Sequence, residues 1–223
     1  MNKRVLITGT SKGIGFALAK MFLNNGFSVI GTCRTGKIAE ITNPEFDVLA
    51  LDLSNPDRIK EFEKAFQNKG ISIDILINNA GIGPDLDSEY PDEETFKQTF
   101  EVNVTGTTFF TELMLKHISK NGKIINISSK MGSIDLCELA DSAAYRMSKT
   151  AINMYTKILA NRLAGQLSVA AIHPGWVRTT IAKSNVNGRL SAEESAAKIL
   201  EFVLSNFRTG IFWNAETQTE CKW

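Results

Sequence analysis

Tyr145-Arg146-Met147-Ser148-Lys149 sets a phenol and an ammonium four residues apart. On a helix, positions i and i+4 share a face, with Cβ atoms about 5–6 Å apart. A free phenol titrates near pH ~10 and is a poor base at neutral pH. An adjacent positive charge favours the phenolate and pulls that pKa down, which is how a tyrosine becomes a general acid–base. The same spacing also describes a packed tyrosine beside a solvated lysine, so the surroundings decide. Upstream, Asn126-Ile127-Ser128-Ser129 closes an apolar run. Ser129 stands at the carboxyl end of the strand this run predicts, where a hydroxyl can hydrogen-bond a carbonyl oxygen. Ser128 is the register alternative, because adjacent strand residues face opposite ways. Either serine can also do no more than end the strand.

A second stretch able to do chemistry is Thr8-Gly9-Thr10-Ser11-Lys12-Gly13-Ile14-Gly15. Glycines let backbone approach a pyrophosphate, and a helix that starts here offers free N–H donors and a positive dipole end. The spacing is a variant of the dinucleotide fingerprint, and no Lys-Ser/Thr pair follows to make it a P-loop. A tight strand-to-helix turn is the plain alternative. The same residues also read as Gly-x-Ser-x-Gly, the nucleophile elbow of hydrolases, with Ser11 as nucleophile and His173 downstream. Only eight residues precede Gly9, so no earlier strand supplies an oxyanion loop, which disfavours acyl transfer. Further on, Thr32-Cys33-Arg34-Thr35 holds no acid where an NAD site usually places one on the ribose 2′-OH. Lys12 and Arg34 instead suit a 2′-phosphate, which favours NADP(H) over two merely solvated cations.

These groups need elements to position them. Short apolar runs predict strands over Val5–Thr8, Ser28–Cys33, Asp47–Leu51, Ile73–Asn78, Lys123–Ser128, Ser168–His173 and Ile211–Trp213. Most are apolar on both pleat faces, as in strands covered on both sides. Ile14, Ala17, Leu18, Met21 and Phe22 trace one helical stripe, and Ile59, Phe62 and Phe66 another. Phe96, Phe100, Asn103, Thr107, Phe110, Met114 and His117 predict one long helix. Tyr145, Ser148, Ile152, Tyr155 and Leu159 mark the next, and Ser191 to Glu194 reads as a capping box for the last. The alternation predicts an α/β chain: one Rossmann-type, doubly wound parallel sheet of about seven strands, spanning 1–223 as a single domain. Such sheets bind ligands beyond the carboxyl ends of their strands.

Composition narrows the partners. The 25 Lys and Arg against 24 Asp and Glu leave a net charge of +1, with no basic stripe for nucleic acid. Two histidines and three scattered cysteines, Cys33, Cys137 and Cys221, offer no metal cluster and no disulfide framework. No apolar run reaches the roughly 18–20 residues of a membrane span, and no targeting signal is legible at either end. The expectation is a soluble, cytoplasmic protein without metal. Cys33 and Cys137 read as structural, and His173 as a hydrogen-bonded strand-end residue rather than a base.

The motifs in order resemble the short-chain dehydrogenase/reductase family over nearly the whole chain. The segments are Thr8 to Gly15, Leu51-Asp52-Leu53, Asn78-Asn79-Ala80-Gly81, Val102-Asn103-Val104, Ser129, Tyr145 with Lys149, and His173-Pro174-Gly175-Trp176-Val177-Arg178-Thr179. Gly132-Ser133-Ile134 followed by Ala144 to Lys149 is similar to the C-factor/Sniffer-like carbonyl reductases. The resemblance implies a catalytic set of Asn103, Ser129, Tyr145 and Lys149. Tyr145 would protonate the carbonyl oxygen as hydride arrives from the nicotinamide, whose positive charge when oxidised also favours phenolate. Lys149 would hold the ribose hydroxyls, Ser129 would orient the carbonyl, and Asn103 would hold a water linking Lys149 to solvent. The cofactor would meet Gly9, Ser11, Lys12, Gly13, Ile14 and Gly15, then Arg34, Asp52 and Leu53. It would also meet Asn79, Ala80 and Gly81, then Tyr145 and Lys149, and finally Pro174, Gly175, Trp176, Val177 and Thr179.

The resemblance further implies a small carbonyl or alcohol substrate and a homodimer or homotetramer built through the 92–118 and 143–164 helices. Two departures concern the substrate. Tyr145 stands sixteen positions after Ser129, a longer loop than usual, and only Thr180 to Leu190 is free for a lid. A short lid predicts an open pocket and broad substrate choice. A cofactor-binding regulatory protein with a secondary dehydrogenase site is the alternative function, and the complete four-residue set favours the enzyme.

Overall fold

The apolar runs become strands because helices cover both of their faces. The computed structural model describes residues 2–223. Its strands are β1 (Arg4–Ile7), β2 (Ser28–Cys33), β3 (Phe46–Ala50), β4 (Ile73–Asn78), β5 (Ile118–Ile127), β6 (Ser168–His173), β7 (Ile211–Asn214) and β8 (Thr219–Glu220). They form one sheet in the order β3-β2-β1-β4-β5-β6-β7-β8. All neighbours are parallel except β7 and β8. The helices are α1 (Gly13–Asn24), α2 (Pro56–Asn68), α3 (Glu93–Phe100), α4 (Thr107–Met114), α5 (Ala143–Arg162) and α6 (Ala192–Leu204).

Strand alternation divides the apolar residues between two cores. Val5 and Ile7 of β1, Ile75 and Ile77 of β4 and Ile125 of β5 face one side, under Leu18 and Phe22 of α1 and Ile199 and Val203 of α6. Leu6, Leu76 and Ile124 face the other, under Phe62 and Phe66 of α2, Phe110 and Met114 of α4 and Leu159 of α5. Local signals start the helices as expected. Asn55 accepts the N–H groups of Asp57 and Arg58, with Pro56 at the first turn of α2. Ser191 and Glu194 form the capping box of α6.

The structure corrects three expectations. The long helix over 96–117 is broken. A π turn, Glu101–Gly106, separates α3 from α4, and Leu115–His117 closes the segment as a 3-10 turn. The Thr107 hydroxyl donates to the Val102 carbonyl, and a Cβ on Gly106 would fall 2.0 Å from the Leu53 carbonyl oxygen. The wide turn lets backbone dock on backbone there, and it carries Asn103. An eighth strand, β8, pairs antiparallel with β7 after a turn with Gln218 at φ 56°. Two residues leave too short an apolar pattern to read. Finally, β5 begins at Ile118, upstream of the expected Lys123, with a register shift where it meets β4.

β1 lies between β2 and β4, where the strand order reverses, so a crevice opens beyond the carboxyl ends of these strands.

Candidate active site

One cavity of about 1160 Å³ occupies that crevice. Every residue expected at the cofactor lines it, as do Ser129, Tyr145 and Lys149; Asn103 stands behind the wall. At one end the glycine loop is pressed onto the start of the β4 loop. Thr8 Oγ1 accepts the N–H groups of Asn79 and Ala80 at 3.0 and 2.9 Å. Asn79 Nδ2 donates back to the carbonyls of Thr8 and Gly9 at 2.8 and 3.1 Å. A Cβ on Gly9 would fall 2.9 Å from Ala80 Cα, and one on Gly15 only 2.2 Å from the Gly9 oxygen. Gly13 has φ +60°, a conformation glycine adopts without strain. No side chain caps the α1 N-terminus at Lys12, so its first N–H groups remain available to an anion. Lys12 and Arg34 are both exposed on the cavity border. Asp52 lies nearby, with one carboxylate oxygen held by the Ser54 N–H and hydroxyl at 3.0 and 2.7 Å. A dinucleotide fits these donors and this glycine cradle.

At the other end α5 brings Tyr145 and Lys149 to the cavity. The Lys149 nitrogen lies 5.5 Å from the Tyr145 ring centre and donates to the Ile127 carbonyl at 2.9 Å. The two serines take different roles. Ser128 Oγ donates to Asn153 Oδ1 at 2.6 Å and is spent on α5. Ser129 Oγ accepts the Met131 N–H at 3.1 Å and faces the phenol. Asn103 is 2% exposed and clamps the main chain of one residue: Ile82 N–H donates to its Oδ1, and its Nδ2 donates to Ile82 O, both at 2.8 Å. Its Nδ2 also reaches Ser148 Oγ at 3.1 Å, so the π turn, the β4 loop and α5 are joined. Asn78 links β4 to Asn126 of β5 and Thr111 of α4, each at 2.8 Å.

The electrostatics differ from the expectation that the ammonium pulls the phenol down. Burial pushes Tyr145 up to about 12; Asp85 pushes the same way, and only Ser129 opposes. Burial also lowers Lys149 to about 8, which weakens its hold on a proton. Burial takes His173 down to about 4, so its imidazole is neutral. His173 ends β6 as expected and its carbonyl accepts the Ala215 N–H at 2.9 Å, whereas its buried Nδ1 has no hydrogen-bond partner among the described residues.

Loops complete the substrate end. Leu136, Glu138 and Leu139 of the long Ser129–Tyr145 connection border the cavity, with Leu136 and Leu139 exposed. Ser133 Oγ and the Asp135 N–H both donate to the Trp223 carbonyl, at 3.0 and 3.2 Å, and so pin the start of that loop. The segment after Thr179 is folded, with a 3-10 turn over Lys183–Asn187. Asn185 Nδ2 donates to Val177 O and Thr179 Oγ1, and Ser184 Oγ donates to Asp87 Oδ1 at 2.8 Å. Sequence reasoning passed over Asp85 and Asp87. The available signal was an acid in the short turn after Asn78-Asn79-Ala80-Gly81 with no adjacent helix for it to cap.

Among the described residues no group of three His, Cys, Asp or Glu side chains could hold a metal ion. No helix among them is long and apolar enough to cross a membrane.

Comparison with known proteins follows the same outline. A family model described as short chain dehydrogenase matches residues 3–189. The 2-dehydro-3-deoxy-D-gluconate 5-dehydrogenase of Bacillus subtilis is 36% identical over 194 residues, covering 81% of this chain and 73% of that protein. The carbonyl reductase Sniffer of D. melanogaster superposes with TM-score 0.88 at 25% identity, over 100% of both chains. The NADPH-bound carbonyl reductase from chicken fatty liver gives TM-score 0.88 at 27% identity, covering 100% of this chain and 94% of that one. Sheet order, glycine cradle, tyrosine–lysine helix and family match agree: the chain belongs to the short-chain dehydrogenase/reductase family and is an oxidoreductase.

Proposed function

We propose that this chain is an NADP(H)-dependent carbonyl reductase, with Tyr145 as its general acid–base. One observation carries the reading: a cation-bordered glycine cradle and the Ser129, Tyr145 and Lys149 groups open into the same cavity. The glycine loop and the α1 N-terminus take the pyrophosphate, and Lys12 and Arg34 take the 2′-phosphate. Asp52 and Leu53 border the adenine, while Asn79 to Gly81 and Pro174 to Thr179 flank the rest of the cofactor. Bound NADPH supplies a hydride from C4 of its nicotinamide. Ser129 holds the substrate carbonyl oxygen by its hydroxyl. Tyr145 delivers a proton to that oxygen, so the carbonyl becomes an alcohol. Lys149 binds the ribose hydroxyls, and Asn103 keeps a water path from Lys149 to solvent. The exposed Phe109 of α4 and Met147, Met154 and Ile158 of α5 suit a second copy packing on these helices.

The direct experiment follows NADPH absorbance against aldehydes, quinones, diketones and ketosteroids. Turnover is expected on carbonyl substrates. NADPH binding without turnover on any of them would favour a regulatory cofactor-binding protein. Arg34→Asp is expected to shift preference towards NADH by about 10- to 100-fold, in line with the loss of a charge-assisted contact to phosphate. An unchanged preference would remove Arg34 from the cofactor site.

A further inference from the structure

Asp85 is an interior acid that no step above uses. It is 2% exposed. Its Oδ2 accepts the backbone N–H of Tyr145 at 3.1 Å, whereas its buried Oδ1 has no hydrogen-bond partner among the described residues. Tyr145 is the third residue of α5, so its N–H is one of those a helix leaves unpaired at its start. The local cap does not satisfy it. Ser142 sits at φ 55° with no side-chain cap bond, and its Oγ accepts the Asp87 N–H at 3.2 Å instead. Gly83 brings the same turn onto the ring, where a Cβ would fall 2.9 Å from Tyr145 Cδ2. Gly83-Pro84-Asp85 therefore grips Tyr145 at its backbone and at its ring.

We propose that Asp85 is a positioning residue for the reaction: it anchors the turn of α5 that carries Tyr145 and buries its carboxylate at the start of that turn. This inference rests on the reading of Tyr145 as the proton-transferring group. Four elements present polar or charged groups near that phenol. Ser129 comes from the end of β5, and Lys149 from the next turn of α5. Arg146 is neutralised by Asp141 from the preceding loop, at 2.6 Å. Asp85 comes from the β4 loop. A carboxylate there opposes phenolate formation and adds to the effect of burial. The consequence is a phenol that keeps its proton, and with it the capacity to protonate a carbonyl, to higher pH.

The test compares pH profiles of kcat/KM for NADPH-driven reduction in wild type, Asp85→Asn and Asp85→Ala. Asn keeps an acceptor for the Tyr145 N–H and removes the charge; Ala removes both. Asp85→Asn is expected to move the alkaline limb to lower pH by about half a unit to one unit. Asp85→Ala is expected to show the same shift with a further fall in kcat. Asp85→Ser, neutral and smaller, supplies the comparison if the Asn protein does not fold. A limb that stays in place while kcat falls would reduce Asp85 to a helix cap and overturn the proposal. Tyr145→Phe, run beside them, separates the failures. If it keeps turnover, the reading of Tyr145 is wrong; if it is inactive and the Asp85 limb is unmoved, only the present inference fails.

Discussion

At the glycine-loop end of the cavity, backbone rests on backbone: a Cβ on Gly15 would meet the Gly9 carbonyl at 2.2 Å, and one on Gly9 would meet Ala80 Cα at 2.9 Å. At the tyrosine end, side chains from distant segments hold one another. Asp85 reaches Tyr145, Asn103 reaches Ile82 and Ser148, and Ser184 reaches Asp87 across 97 positions. The first arrangement tolerates no added atom, since close-packed backbone has nowhere to go. The second is a set of hydrogen bonds, each worth about 0.5–1.5 kcal/mol net, that can be retuned singly. A scaffold of this kind can keep one cofactor while its substrate loops vary.

Gly15→Ala is the harshest test of the contrast. It is expected to destabilise the chain by about 3 kcal/mol or more and to weaken NADPH binding at least ~100-fold, because backbone must shift to admit the methyl. Thermal unfolding and a fluorescence titration would measure both. Affinity within a few-fold of wild type would mean that the cradle yields as readily as the other end.

His173 probes the tyrosine end by pH. Burial holds its imidazole near 4, below the ordinary 6.5. As pH falls, the unfolded chain takes up the proton first, so this group's contribution is present above about pH 6.5 and lost as pH approaches 4. The expected loss is at most about 3 kcal/mol across that window, and His173→Gln should flatten this part of the curve. Denaturant melts at several pH values would show it; an identical slope in the variant would mean that His173 charges freely in the folded protein.

Ser184→Ala should have the smallest effect. The lost bond to Asp87 is solvent-exposed, so KM is expected to rise about two- to threefold with kcat and stability nearly unchanged. A tenfold change in kcat would show that the lid segment shapes the reacting geometry itself.

The same contrast explains what the sequence makes legible. The pattern of Val5 to Gly15, the Asn55-Pro56 cap and the Ser191 box are each written in residues a few positions apart, so periodicity and spacing reveal them, although Thr8 and Gly9 then dock on the distant Asn79 and Ala80. The tyrosine end depends on partners far along the chain. Asp85 is sixty positions from the N–H it caps, and the turn that holds it marks an acid without naming its partner. Alternation says that Ser128 and Ser129 point opposite ways without saying which faces the phenol; packing of Ser128 on Asn153 settles that. The break at Glu101–Gly106 depends on Gly106 meeting the Leu53 backbone, so a stripe of apolar residues reads straight through it.

In the proposed mechanism Tyr145 transfers the proton, while the glycine-loop end, with Lys149 on the ribose, holds the cofactor without needing the phenol hydroxyl. Tyr145→Phe tests both halves in one protein, with NADPH affinity and carbonyl turnover measured side by side. Turnover should fall by at least about a hundredfold, in the range that general acid–base groups contribute, while NADPH affinity stays within a few-fold of wild type. Turnover that survives in Tyr145→Phe with NADPH bound would contradict the account.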